Sequence, residues 1–134
     1  MPTVLLVDDE EAVRDALGRV LRLAGYDVAE CASGTLAMKF LRMSKFDVMV
    51  LDLHMPDTDG LELIRQLRKN KLAIPKTLAI SGHFDPSLLQ TAEALGVAAT
   101  LPKPFPNGEL LAAIERLLKP DAPPEPGGTV TSPQ

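Results

Sequence analysis

The chain has 134 residues, 18 acidic against 14 basic for a formal charge of −4, with 46 % hydrophobic residues and a single cysteine. That length makes one domain with enough buried surface for a real core, and one cysteine, Cys31, excludes an internal disulfide framework. No apolar run approaches the ~20 residues of a membrane span, the opening Met1-Pro2-Thr3 lacks a basic signal flank, and an acidic chain with no Trp and no basic run is a poor nucleic-acid binder. A cytoplasmic protein with neither a membrane nor a nucleic-acid partner is expected.

Apolar runs alternate with helix-period segments as far as residue 118. Thr3-Val4-Leu5-Leu6-Val7 reads as a strand buried on both faces. Val13, Ala16, Leu17, Val20, Leu21 and Ala24 then recur at helical spacing until Gly25 stops them. Residues 27–31 alternate as an edge strand, and Ser33 introduces a helix with Leu36, Ala37, Phe40 and Leu41 on one side. Val48-Met49-Val50-Leu51 is a second fully apolar strand. Asp59-Gly60 opens a third helix with Leu61, Ile64 and Leu67 inward, closing in the charged residues 65–71. Thr77-Leu78-Ala79-Ile80 is a strand, residues 86–95 a helix ended by Gly96, and residues 98–101 the last strand. Pro106-Asn107-Gly108 introduces a closing helix marked by Leu110, Leu111, Ile114, Leu117 and Leu118. Met38, Met43, Met49 and Met55 read as core or loop fillers, and Cys31 as a small apolar residue.

Five strands alternating with five helices predict an α/β domain, a doubly wound parallel sheet with helices on both faces and its two most apolar strands central. Beyond residue 118 the composition turns Pro- and Gly-rich with no apolar period, so residues 119–134 are expected to be a disordered tail or linker.

The acidic residues carry the chemistry through where they fall. Asp8 and Asp9 follow the first strand directly, Asp52 ends the third, and ligands of open α/β sheets bind just beyond those strand ends. Three carboxylates gathered there, with Glu10 close behind, repel by about 4 kcal/mol per pair at ~4 Å and an effective dielectric of ~20, so they must protonate or hold a cation. Few oxygen ligands with open water positions suit Mg²⁺. Ser81, followed by the side-chain-free Gly82, and Lys103, followed by Pro104, end the fourth and fifth strands at the same edge. A hydroxyl, an ammonium and a divalent cation around one carboxylate make a cradle for a phosphoryl group, with mid-sheet Asp52 the best acceptor.

Four motifs then stand in order: Val7-Asp8-Asp9-Glu10; Leu51-Asp52-Leu53-His54-Met55-Pro56-Asp57-Thr58-Asp59-Gly60; Ile80-Ser81-Gly82; and Leu101-Pro102-Lys103-Pro104-Phe105. Together they resemble the CheY-like receiver domain of bacterial two-component response regulators, over roughly residues 3–118. The resemblance implies a (βα)5 flavodoxin-like fold with strand order 2-1-3-4-5. It implies Asp52 as phosphoacceptor and Mg²⁺ held by Asp9 and Asp52 directly, by Asp8 through water and by the backbone carbonyl of His54. Ser81 and Lys103 would bind the phosphoryl oxygens, and the Lys103-Pro104 bond would be cis. The donor would be a histidine kinase or phosphotransfer protein, and the output a changed surface on the fourth helix, fifth strand and fifth helix, recognised by an unnamed partner. The chain would be a monomer or a phosphorylation-dependent dimer, and no enzyme beyond its own phosphorylation and dephosphorylation.

Thr100 departs from the family, which usually carries Tyr or Phe three residues before the lysine as the rotameric partner of the switch hydroxyl at Ser81. Phe84 or Phe105 are substitutes to consider. His54 and His83, each two residues past a site residue, border the phosphoryl environment and are expected to shape water access and phosphoryl lifetime; the plain alternative is two exposed loop histidines. A transition-metal site using His54 wants further histidine ligands. Two other functions compete. A Mg²⁺-dependent phosphatase on a similar α/β scaffold wants a second acid two residues past its nucleophile, which Asp8-x-Glu10 or Asp9-x-Glu11 matches loosely. The chain also reads as the receiver half of a longer regulator whose output domain lies elsewhere. A nucleotide-binding enzyme would need a phosphate-cradling glycine loop after the first strand, where none stands.

Overall fold

A computed structural model describes residues 1–55, 60–82 and 86–119. Five strands, β1 (Thr3–Val7), β2 (Asp27–Cys31), β3 (Val48–Asp52), β4 (Lys76–Ser81) and β5 (Ala99–Pro102), alternate with five helices, α1 (Glu11–Leu23), α2 (Gly34–Met43), α3 (Gly60–Lys69), α4 (Pro86–Ala94) and α5 (Asn107–Leu118). The strands form one all-parallel sheet in the order β2-β1-β3-β4-β5, as expected. β3 is buried along its whole length and β1 nearly so, whereas β2 and β5 leave residues in contact with water at the edges. Strand hydrophobicity thus tracks position in the sheet, because an interior parallel strand has helices on both faces.

Side-chain alternation divides the interior into two cores. Leu5, Val7, Met49, Leu51 and Ala79 face one way and pack with Ala37, Leu41, Ile64 and Leu67 of α2 and α3. Val4, Leu6, Val48, Val50, Leu78 and Ile80 face the other way, against Leu17 and Leu21 of α1 and Leu110 and Ile114 of α5. A slip of one residue would exchange the two sets. Burying each such side chain contributes about 1.5–3 kcal/mol, so the register Leu5↔Met49, Val7↔Leu51 is strongly specified.

The helix ends explain most boundaries. Ser33 caps α2, its hydroxyl accepting from the Leu36 N–H at 3.2 Å. Gly25 and Gly96 adopt φ +98° after α1 and α4, where a side chain would be strained. α3 ends the same way on a lysine: Lys71 takes φ 57° while Leu72 N–H returns to the Leu67 carbonyl. Composition flags only the glycine versions of this stop. One inward assignment is corrected, and other apolar positions also fall outside the buried stripes. Leu36 is 41 % and Met43 82 % exposed, because the buried stripe of α2 runs through Gly34, Ala37, Met38 and Leu41. Ala16 is likewise exposed, its place in the α1 stripe taken by Gly18. Residues 56–59, residues 83–85 with His83 and Phe84, and residues 120–134, where a tail was expected, lie outside the described residues.

Candidate functional site

Because β1 and β3 are parallel neighbours, the residues at their carboxyl ends meet. Asp8 is buried just past β1, Asp9 is half-buried beside it, and Asp52 is the buried last residue of β3. Carboxylate oxygens of the three lie within 4.8 Å of one another. The backbone orients two of them: Asp8 Oδ1 accepts from the Glu10 N–H and Asp52 Oδ1 from the His54 N–H, both at 2.9 Å. The Glu10 side chain stays outside the cluster, so its contribution is the backbone N–H.

Ser81, the last residue of β4, is fully buried. Lys103 follows β5, its N–H donating to the Ser81 carbonyl at 2.7 Å and its bond to Pro104 cis. The Lys103 ammonium lies 3.5 Å from Asp52 Oδ2 and 3.6 Å from Asp8 Oδ2. Gly82 is exposed, and a Cβ there would meet the Lys103 stem at 3.8 Å, an ordinary contact. Asp8, Asp9, Asp52, Ser81 and Lys103 are therefore at one edge of the sheet.

Three carboxylates face one ammonium, so the cluster retains excess negative charge. Burial pushes the Asp52 carboxyl above the ordinary aspartate value, and the Asp8 charge adds to that; the His54 N–H and Lys103 pull it back only in part. The donor set is all oxygen, close enough for one ion, and undercompensated in charge. Those are the requirements of a hard divalent cation such as Mg²⁺.

One pairing beside the site was not legible beforehand. Arg14 of α1 donates to the Asp8 carbonyl at 2.8 Å and reaches Glu30 of β2 at 3.7 Å, while Arg22 holds the same Glu30 at 2.7 Å. This pairing joins a helix to a strand across the sheet edge, and no sequence spacing announces it. His54 is exposed, yet its Nε2 lies 3.2 Å from Ser81 Oγ. Thr100 is half-buried in register with Ala79, its neighbours Ala99 and Leu101 packing on the α1/α5 side. Cys31 is buried, and burial pushes its thiol up to about 12, which suits the packing role expected of it.

Gly60 matters for a reason of space. A Cβ there would lie 2.8 Å from the Asp52 carbonyl oxygen and 3.0 Å from Leu53 Cα, so backbone would have to move. Gly60→Ala is expected to cost about 2–3 kcal/mol in urea unfolding by displacing the end of β3.

The sequence profile of the response regulator receiver domain matches residues 4–115. The chain belongs to that family. It is 38 % identical over 122 residues to the response regulator MprA of Mycobacterium sp. (strain KMS), covering 91 % of this chain and 53 % of MprA. Among solved structures, the signal receiver domain of a response regulator from Bermanella marisrubri superposes with TM-score 0.82 at 41 % identity, covering 87 % of this chain and 98 % of that one. The Vibrio cholerae chemotaxis protein CheY4 superposes with TM-score 0.81 at 30 % identity, covering 88 % and 99 %. The receiver domain spans about half the length or less of the curated relatives it matches. As a receiver domain it is a phosphoacceptor signalling module of two-component systems rather than a conventional enzyme. Among the described residues no helix is long and apolar enough to cross a membrane.

Proposed function

We propose that this receiver domain, residues 1–118, works in the cytoplasm and takes a phosphoryl group onto Asp52 from the phosphohistidine of a histidine kinase or phosphotransfer protein. The observation that carries the reading is a buried carboxylate ending the central strand with an ammonium 3.5 Å away and two further acids beside it. A carboxylate oxygen of Asp52 forms a bond to phosphorus as the P–N bond of the donor breaks, leaving an acyl phosphate here and a neutral imidazole there once it gains a proton. The His54 N–H keeps Asp52 oriented through Oδ1. Lys103 swings from its carboxylate contacts to the arriving phosphoryl oxygens, and the Ser81 hydroxyl donates a second hydrogen bond to them. Asp9 and Asp52, with Asp8 through water and the His54 carbonyl, would hold Mg²⁺, which when bound supplies charge neutralisation for the phosphoryl group.

The modification exchanges the single carboxylate charge of Asp52 for nearly two on the phosphoryl oxygens, carried out toward the ends of β4 and β5. Movement of Lys103 toward that charge, with the new hydrogen bond from Ser81, biases the surface of α4, β5 and α5, where an output partner docks, with Thr100 in the strand between. The test is incubation of the chain with acetyl phosphate and Mg²⁺, followed by intact-mass and peptide mapping. One phosphoryl adduct at Asp52 is expected. Turnover of phosphomonoesters without an adduct would instead favour a phosphatase.

A further inference from the structure

His54 has no role in the proposed transfer beyond its backbone, yet its ring is placed. The side chain stands in the loop after β3, exposed to solvent, while its Nε2 reaches back 3.2 Å to the hydroxyl of Ser81, a residue fully buried at the end of the neighbouring strand. The same residue's N–H holds Asp52 Oδ1 at 2.9 Å. One residue thus restrains two groups of the site, the acceptor through its backbone and the hydroxyl through its ring. A serine hydroxyl has three staggered χ1 wells, and one aims Oγ at any given point. A ring nitrogen within hydrogen-bond distance selects among them. With Nε2 as donor, the imidazole also leaves the Ser81 proton for a phosphoryl oxygen and polarises it in that direction.

Resting on the Asp52 acceptor reading, we propose that His54 is a positioning residue, whose imidazole Nε2 holds the Ser81 hydroxyl in the orientation that receives the phosphoryl group. The role is distinct from shielding the site from water, because it acts only through Oγ of Ser81. Loss of the ring should therefore matter only while that hydroxyl is present.

The experiment is a double-mutant cycle on the full chain, with uptake from acetyl phosphate and loss of the adduct followed for wild type, His54→Ala, Ser81→Ala and the pair. His54→Ala is expected to slow uptake by up to about threefold, the limit set by three staggered wells in place of one. In the Ser81→Ala background the same change should have no further effect. His54→Gln, whose Nε2 can occupy a similar place, should recover most of the rate, which a variant acting through bulk or charge would not. Equal effects of His54→Ala with and without the Ser81 hydroxyl, or no effect in either background, would overturn the inference while leaving Asp52 as acceptor. Absence of an adduct on the wild-type chain would overturn the acceptor reading and this inference with it.

Discussion

Asp52→Asn is expected to abolish phosphoryl uptake and to make the fold more stable near neutral pH, by about 1–2 kcal/mol or several degrees in Tm. Asparagine cannot form the acyl phosphate, so the first effect is complete. The second follows from burial. The folded chain holds the Asp52 carboxyl above the ordinary value of 3.8, principally through desolvation with the Asp8 charge adding to it. Between that ordinary value and the raised one, the folded state binds more protons than the unfolded state, so the contribution of Asp52 to stability falls as pH rises through that interval. Above it the full cost of the buried charge is present. Asparagine carries no charge, and its Oδ1 can still accept the His54 N–H. Its advantage should therefore grow as pH rises through that interval and vanish as pH falls to the ordinary aspartate value. Thermal unfolding of both proteins in chelator, near neutrality and in acid, checks this. A stability loss at neutral pH, or a gain that persists undiminished in acid, would contradict the electrostatic account.

Lys103→Ala should act in the opposite direction, lowering stability by about 2 kcal/mol in chelator at neutral pH. At an effective dielectric of ~20, attraction across 3.5 Å is worth roughly 4–5 kcal/mol. The ammonium is partly open to solvent at 22 % exposure, which screens it, and ordering a lysine side chain costs up to about 2 kcal/mol. What remains is the cost of leaving Asp8 and Asp52 buried beside each other without a cation. Two conditions should restore the loss: millimolar Mg²⁺, which replaces the missing positive charge, and Asp52→Asn, which removes one of the charges it balanced. Acidification should narrow the gap as well, since protonated carboxyls need no counter-ion. Urea unfolding of the four proteins with and without Mg²⁺ measures each arm. An undiminished deficit in Mg²⁺ would mean that the lysine stem contributes through packing instead.

Much of the site was readable from the linear chain because each participant ends a strand. Asp8, Asp52, Ser81 and Lys103 stand just after or at the last residue of an apolar run, and an all-parallel sheet delivers such positions to one edge. Thr100 was legible in the same way as the middle of the last strand. Arg14, by contrast, is one helical residue among several charged ones, and only the packing of α1 beside β2 gives it Glu30 and the Asp8 carbonyl. Gly60 reads as a helix opener, and its tight approach to the Asp52 carbonyl depends on how α3 leaves the loop.

By itself the chain determined the alternation of strands and helices, the burial of β1 and β3, the glycine stops and the identity of the acids, hydroxyl and amine. Those are local properties: propensity, periodicity and the chemistry of single side chains. The tertiary structure alone decided which carboxylate oxygens the backbone holds, that one ammonium spans Asp8 and Asp52, and that the His54 ring lies against Ser81. Such choices are made by distances of a few ångströms between residues far apart in sequence, and no pattern along the chain records them.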